Sequence, residues 1–213
     1  MKPYYEHAGI TIYHGDCREI LPSVAAGAVV TDPPYGIGSW SATGGNSLSV
    51  SDVEAINKWD VAPSPELLEL IAAPGRPSVI WGGNYFGDTL GRCRAPLVWD
   101  KCIRGMHFAD GEMAWTNFDF GTLRILKLPI ASAGTKGWRL HPTEKPLTVM
   151  KWSIEQTRSS GRVLDPFMGS GTTLVAAKDL GRPAIGIEIE ERYCEIAAKR
   201  LSQEVLPFAK DQP

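Results

Sequence analysis

An aspartate, two prolines and a tyrosine stand together at Asp32-Pro33-Pro34-Tyr35. Each proline fixes its own φ and drives the residue before it out of the helical region, so Asp32 and Pro33 are held extended. Neither proline has an N–H to compete for the local carbonyls, and the tyrosine ring is projected at a fixed distance. A rigid carboxylate, a free carbonyl and an aromatic face can together grip a planar base that carries an –NH2 group. Two acceptors serve two amine hydrogens, and the ring serves for stacking. Taken alone, the same four residues could equally be a proline-stiffened turn after a strand.

A second segment, Asp165-Pro166-Phe167-Met168-Gly169-Ser170-Gly171-Thr172-Thr173, leaves an apolar run and opens a helical stretch. Its glycines permit a tight turn and close backbone approach, and a helix N-terminus offers unpaired N–H groups to an anion. The Lys-Ser/Thr ending of a phosphate-binding loop is missing, and the three-glycine dinucleotide fingerprint is incomplete. A two-glycine turn preceded by an acid suits a ligand with an amino-acid end instead of a pyrophosphate. Glu188, ending the next apolar run, is placed to accept bonds from two ribose hydroxyls. The series points to an adenosine-containing cofactor. Cys17, Cys93, Cys102 and Cys194 are scattered, with no Cys-x-x-Cys pair or histidine at ligand spacing. Neither a metal site nor a disulfide framework is expected.

These residues end short apolar runs. Residues 10–15 lead to Asp16, 28–31 to Asp32, 162–164 to Asp165 and 184–187 to Glu188. Continuous β-branched runs of this kind read as strands buried on both faces. Helices are expected over 17–24, 66–73, 146–158, 171–180 and 190–204, with further strands over 77–81, 96–99 and near Met113-Ala114-Trp115. Gly181 and Pro183 stop the helix before them, and Tyr193, Ile196, Ala197 and Leu201 form an apolar stripe on the last one. Alternating strands and helices imply a parallel sheet with right-handed crossovers, whose ligands bind beyond the carboxyl ends of the strands. Four acids at that edge mark a binding site. Residues 36–62, Gly- and Ser-rich over 36–52, are expected to form a mobile substrate loop that Pro63 and Pro65 end.

At 213 residues the chain fits one domain with a sizeable core. No apolar run approaches the ~20 residues of a membrane helix, and the first seven residues lack a signal-peptide core, so a cytoplasmic protein without membrane contact is expected. The net charge is −2. Arg92, Arg94, Lys101, Arg104, Arg124, Lys127, Lys136 and Arg139 nevertheless make the middle basic, while Glu188, Glu190, Glu191 and Glu195 make the C-terminal part acidic. That distribution fits a modest nucleic-acid footprint or an ordinary solvated surface.

The chain resembles the beta-class amino-methyltransferases of DNA, enzymes that make N6-methyladenine or N4-methylcytosine. The resemblance rests on Gly15-Asp16-Cys17, Asp32-Pro33-Pro34-Tyr35, His141-Pro142-Thr143-Glu144-Lys145-Pro146, Asp165 to Thr173 and Gly186-Ile187-Glu188, and covers residues 10–36 and 138–204. It implies a Rossmann-like α/β methyltransferase fold with a mostly parallel, doubly wound sheet and a circularly permuted motif order, the catalytic segment preceding the glycine loop. The C-terminal strands should then insert between the strand ending at Asp16 and the one ending at Asp32. It also implies S-adenosyl-L-methionine as cofactor, ringed by Asp16, Asp32, Asp165 and Glu188. Asp16 and Cys17 would sit at the adenine and Glu188 at the ribose. Asp165, Pro166, Phe167, Gly169, Ser170, Gly171 and Thr172 would meet the methionine end, with Thr143 and Lys145 near its carboxylate. Cys17 could instead be a small buried residue, and Thr143 and Lys145 a cap for the helix opening at Pro146.

The chemistry implied is methyl transfer to the exocyclic amine of a base flipped out of DNA. Tyr35 would stack on the base while the Asp32 carboxylate and Pro33 carbonyl accept from its amine, aligning the nitrogen with the methyl group. Aspartate at position 32 favours N6 of adenine over N4 of cytosine, whose enzymes more often carry serine. Competing readings are an RNA base, a protein glutamine amide and a non-catalytic binding module. The amide enzymes prefer asparagine and the unpermuted order, and an intact catalytic segment opposes the last reading. Only residues 117–138 are available for a target-recognition region, so the chain resembles compact phage or prophage orphan enzymes. One catalytic domain over 1–213 is expected, with no separate recognition domain, and a homodimer is allowed. Substrate contact falls to residues 36–62 and 100–112, with Trp40, Trp59, Lys101 and Arg104 as candidates, while Trp81, Trp99, Trp115 and Trp152 read as core.

Overall fold

The computed structural model describes residues 1–37, 60–105, 109–130 and 144–203. Among them the strands are β1 (Tyr5–His7), β2 (Ile10–His14), β3 (Ala28–Thr31), β4 (Ser78–Trp81), β5 (Leu97–Asp100), β6 (Gly111–Thr116), β7 (Arg124–Lys127), β8 (Val163–Asp165) and β9 (Ala184–Glu188). The α-helices are α1 (Cys17–Ile20), α2 (Pro65–Ile71), α3 (Gly87–Leu90), α4 (Leu147–Gln156), α5 (Thr172–Asp179) and α6 (Glu191–Ser202). All strands join one sheet, in the order β1-β2-β9-β8-β3-β4-β6-β5-β7. From β2 to β4 the neighbours run parallel. β1 is antiparallel to β2, and β6 is antiparallel to both β4 and β5. The insertion implied by the motif order is present: β8 and β9, last in sequence, fill the place between β2 and β3.

The sheet is covered on both faces because adjacent residues of one strand point to opposite sides. Val30 and Val79 pack with Val149, Met150, Ile154 and Leu174, the face of α4 and α5. Their neighbours Val29 and Ile80 pack with Ile20, Leu67, Leu68 and Ile71, the face of α1 and α2. β3 and β4 are buried along their whole length, which is why their sequences are continuous and apolar instead of alternating.

Three elements carry too little pattern to be read from the sequence. β1 has three residues, two of them exposed; β7 is an exposed edge strand, Arg124 to Lys127; α3 is a single turn opened by glycine. The helix expected over 17–24 is instead split: α1 stops at Ile20 and a 3-10 turn, Leu21–Ser23, follows. Pro22 has no N–H to continue the α-helical ladder. Among the described residues no helix is long and apolar enough to cross a membrane.

The topology puts the chemistry on one edge. Asp16, Asp32, Asp165 and Glu188 lie at or just past the carboxyl ends of β2, β3, β8 and β9. Since β6 runs antiparallel to β4, its first residues, Gly111 and Glu112, come to the same edge, beside the end of β5 at Asp100.

Candidate active site

At the end of β3 the chain leaves the sheet through Asp32-Pro33-Pro34-Tyr35 and folds back enough for the tyrosine to meet the aspartate. The Tyr35 hydroxyl donates to Asp32 Oδ1 at 2.7 Å. Lys145, just ahead of α4, donates to the same oxygen at 2.7 Å and to the phenol oxygen at 2.9 Å. Oδ1 is thereby fixed by two donors. Among the described residues, Oδ2 and the Pro33 carbonyl have no hydrogen-bond donor. Two acceptors remain beside an aromatic ring, the complement of an –NH2 group on a planar base.

Lys145 is 7% exposed, and a cation that deeply buried must be paired. Glu112 supplies the second anion: its Oε2 lies 2.9 Å from Lys145 Nζ, and its Oε1 lies 2.7 Å from Lys101 Nζ. Charge alternates along Lys101, Glu112, Lys145 and Asp32. Burial opposes the Lys145 charge, but Asp32 and Glu112 outweigh it and hold the ammonium well above its ordinary pKa. Burial likewise pushes the Glu112 carboxyl up, yet Lys145 and Lys101 prevail and hold it at about 2. At Asp32 burial wins over Lys145, with Glu112 adding to it, so this carboxyl is raised. Tyr35 is pushed well above its ordinary value, by burial first and the Asp32 charge second, so the phenol keeps its proton.

The neighbouring half is built from backbone. Gly171, at φ 85°, starts α5 in a conformation that favours glycine, and a Cβ there would stand 2.8 Å from the Ala197 Cβ of α6. Asp165, 2% exposed, accepts from Thr31 Oγ1 at 2.7 Å and from the Phe167 amide at 3.1 Å, tying β8 to β3 and shaping the loop. With no cation beside it among the described residues, burial pushes its carboxyl up to about 6. Glu188 accepts from the Gly169 amide at 2.9 Å and the Glu190 amide at 2.8 Å, one on each oxygen. Each oxygen retains capacity for a further donor such as a ribose hydroxyl. Glu144 clamps the loop from outside, accepting from Thr172 Oγ1 at 2.7 Å and pairing with Arg200 at 2.9 Å. Arg200 in turn donates to the Ser170 carbonyl at 2.8 Å. A tight glycine turn with acids on both flanks fits a nucleoside carrying an amino-acid tail.

Other residues singled out in the sequence fall as follows. Asp16 caps α1 through the Arg18 amide at 2.9 Å and also pairs with the Arg18 guanidinium. The hydrogen bonds from that side chain hold its carboxyl below the ordinary value. Cys17 is partly buried, and burial followed by the Asp16 charge pushes its thiol up to about 11, which disfavours the thiolate. Pro166 and Phe167 lie in the loop after β8. Lys145, expected beside the cofactor carboxylate, has its ammonium on Asp32, Glu112 and the Tyr35 phenol oxygen, because a buried cation needs the two carboxylates. Lys101, a candidate for substrate contact, is turned inward onto Glu112 and over the Trp99 ring. Arg104 pairs with Asp100 at 2.9 Å and stays largely exposed. Thr143, Trp40 and Trp59 lie outside the described residues, as does most of the loop expected over 36–62. Its two ends meet where the Gly36 amide donates to Asp60 Oδ1 at 2.8 Å. Trp81, Trp99 and Trp115 are core, each indole N–H bonded inside the protein, and Trp152 packs against the same core.

Glu112 and Tyr85, which stacks on Tyr35, carry no motif and were not legible as site residues. The one available signal for Glu112 was an acid entering an apolar strand, which the register sets opposite Trp99 and diagonal to Lys101.

A mostly parallel sheet whose carboxyl edge holds a glycine turn, an acid at the next strand tip and a rigid amine-gripping segment is the layout of a Rossmann-like methyltransferase. Known proteins narrow the class. The DNA methylase profile of the N6/N4 group matches residues 77–199. The Escherichia coli (strain K12) protein YubD is 51% identical over 210 residues, 88% of each chain. Type II methyltransferase M.ScaI of Streptomyces caespitosus is 29% identical over 95% of this chain and 84% of its own. The crystal structure of the M1.HpyAVI–SAM complex matches with a TM-score of 0.61 at 25% identity, over 91% of this chain and 100% of the other. The chain belongs to the DNA methylase family of the N6-adenine/N4-cytosine amino class.

Proposed function

We propose that this protein transfers a methyl group from S-adenosyl-L-methionine to N6 of an adenine extruded from DNA. The observation that carries the reading is the division of labour at Asp32. Lys145 and Tyr35 fix one carboxylate oxygen, while among the described residues the other oxygen and the Pro33 carbonyl take no donor. The cofactor supplies an electrophilic methyl on a sulfonium. Asp32 Oδ2 and the Pro33 carbonyl accept the two amine hydrogens, which turns the nitrogen lone pair toward that methyl. Burial raises the Asp32 pKa and so strengthens it as an acceptor. Because Oδ1 is already held, little reorganisation is left for the moment of reaction. Glu188 holds the ribose, and the glycine turn over Gly169 to Gly171 lies against the methionine end.

Aspartate at position 32 supports adenine over cytosine, since it adds a charged acceptor where serine would offer a neutral one. The test is transfer of label from radioactive S-adenosyl-L-methionine to duplex DNA, single-stranded DNA, RNA and protein, followed by nucleoside analysis. Labelled N6-methyladenine from DNA is expected. Labelled N4-methylcytosine would reverse the base assignment, and label confined to RNA or protein would overturn the substrate.

A further inference from the structure

Tyr35, the ring assigned to base stacking, already has a partner. Tyr85 lies on it with ring centroids 5.0 Å apart and planes 23° apart. Phe86 meets the same ring edge-on at 6.1 Å and 72°. Both come from Gly82-Gly83-Asn84-Tyr85-Phe86, the turn that leaves β4 at the carboxyl edge. The backbone of this turn is pinned. The Gly82 and Gly83 amides both donate to the Met113 carbonyl, at 3.0 and 3.1 Å, and the Tyr85 amide donates to the Gly82 carbonyl at 2.8 Å. A Cβ on Gly83 would stand 2.5 Å from the Trp115 amide nitrogen, and one on Gly82 would collide with the Tyr35 ring.

The two aromatic neighbours differ in what they give the fold. Phe86 is 4% exposed and belongs to the core, whereas Tyr85 is 50% exposed. The Tyr85 hydroxyl makes no hydrogen bond among the described residues. Half of a large ring left in water contributes little to stability, yet this ring is delivered by a rigid turn onto the one tyrosine that must stack on substrate. Phe86 explains how the turn is anchored. It does not explain why an aromatic ring should stand beside it in solvent.

We propose that Tyr85 is a second base-contacting residue, resting on Tyr35 while the site is empty and receiving the extruded base between the two rings. The inference rests on the function proposed for the site. Sandwiching a planar base asks the rings to stand about 7 Å apart, so Tyr85 must withdraw by roughly 2 Å. An unbonded hydroxyl and a half-exposed side chain on a fixed backbone allow that by rotation of the side chain alone. Stacking on each base face is sequence-tolerant, so Tyr85 adds hold on the base without adding choice of sequence.

The test first maps the methylated position with the wild-type protein, then places 2-aminopurine there in a duplex. Its fluorescence is quenched by stacking, so the wild-type complex should be dim and the Tyr85→Ala complex several-fold brighter, with Tyr85→Phe dim like wild type. In steady state, Tyr85→Ala should raise KM for DNA about tenfold, the lower part of the range for loss of one stacking ring, and leave cofactor affinity unchanged. Tyr85→Leu, which keeps the bulk but not the ring, should behave like the alanine variant. Wild-type brightness and wild-type KM in both variants would overturn the proposal. So would a lower KM, because it would mean that Tyr85 competes with the base. A wild-type protein that transfers no label to DNA would instead overturn the function itself, before any variant is made.

Discussion

On the half of the cleft assigned to the cofactor, Glu188 and Asp165 rest on neutral donors, whereas on the half assigned to the base Asp32 and Glu112 rest on cations. Glu188 is held by two backbone amides from the turns after β8 and β9, and Asp165 by the hydroxyl of Thr31 at the end of β3 and an amide from the turn after β8. Asp32 and Glu112 are held by lysine ammonium groups from separate parts of the chain. Neutral donors shape a loop while leaving carboxylate charge for a ligand. Ion pairs instead fix the carboxylates before the substrate arrives, which suits a group whose task is to present one acceptor at one angle.

The largest expected effect breaks the base half alone. Asp32→Ala should lower methyl transfer by about 10³-fold, the scale for removing a preorganised electrostatic contact. Cofactor affinity, measured by calorimetry, should stay within a few-fold of wild type, because Glu188 and the glycine loop are untouched. Lys145 keeps Glu112 as its anion, so the fold should survive. Equal losses of transfer and cofactor binding would mean that the two halves are not separable.

Acid titration should separate them by sign. Asp165 is raised from an ordinary 3.8 to about 6. The folded state holds that proton longer, so its contribution is intact below pH 4 and is lost as pH rises toward 6. Glu112 is lowered from 4.5 to about 2, so its contribution is intact above pH 4.5 and is lost as pH falls toward 2. Each is on the order of 3 kcal/mol at full development. Relative to wild type, the Tm of Asp165→Asn should therefore climb between pH 4 and 6. That of Glu112→Gln should climb as pH falls from 4.5. Differences that stay flat across these windows would remove the contrast.

The two halves also differ in how far the sequence discloses them. The cofactor half is contiguous: Asp165 to Thr172 and Gly186 to Glu188 each carry their own turn and strand, and the hydrogen bonds run within or between those turns. The order of β8 and β9 between β2 and β3 was legible for the same reason, since motif order constrains strand order. The base half depends on a lysine 113 residues from Asp32 and on an acid in a strand without a motif. Nothing local in Glu112 says that it will meet Lys145. Only the antiparallel turn of β6 brings it to the edge, and β6 itself is weakly marked.

Glu112→Gln sharpens the comparison from inside the base half. Lys145 keeps Asp32 but loses its second anion, so Glu112 acts as a positioning residue. A fall in kcat of about tenfold, one charge-assisted hydrogen bond in scale, is expected with KM for cofactor unchanged. Glu112 raises the Asp32 pKa by its charge, so the acid limb of the pH–rate profile should also move to lower pH. A merely structural role would lower Tm and leave that limb in place.

The smallest effect concerns which cation near the base half faces DNA. Lys101 and Arg104 stand close in sequence, but the Lys101 side chain is 13% exposed against Glu112 and the Arg104 side chain is 62% exposed. Neutralising a phosphate contact lowers the slope of log affinity against log salt by about one. Arg104→Gln should therefore flatten the slope by about that amount, with Asp100 left free to relax into solvent. Lys101→Gln should leave the slope unchanged and act on kcat through Glu112. The reverse pattern would place Lys101 on the DNA and take the charge chain apart at its outer end. Of the two, Arg104 is then the residue whose role depends on the surface instead of on the interior, and ionic strength is the variable that tells them apart.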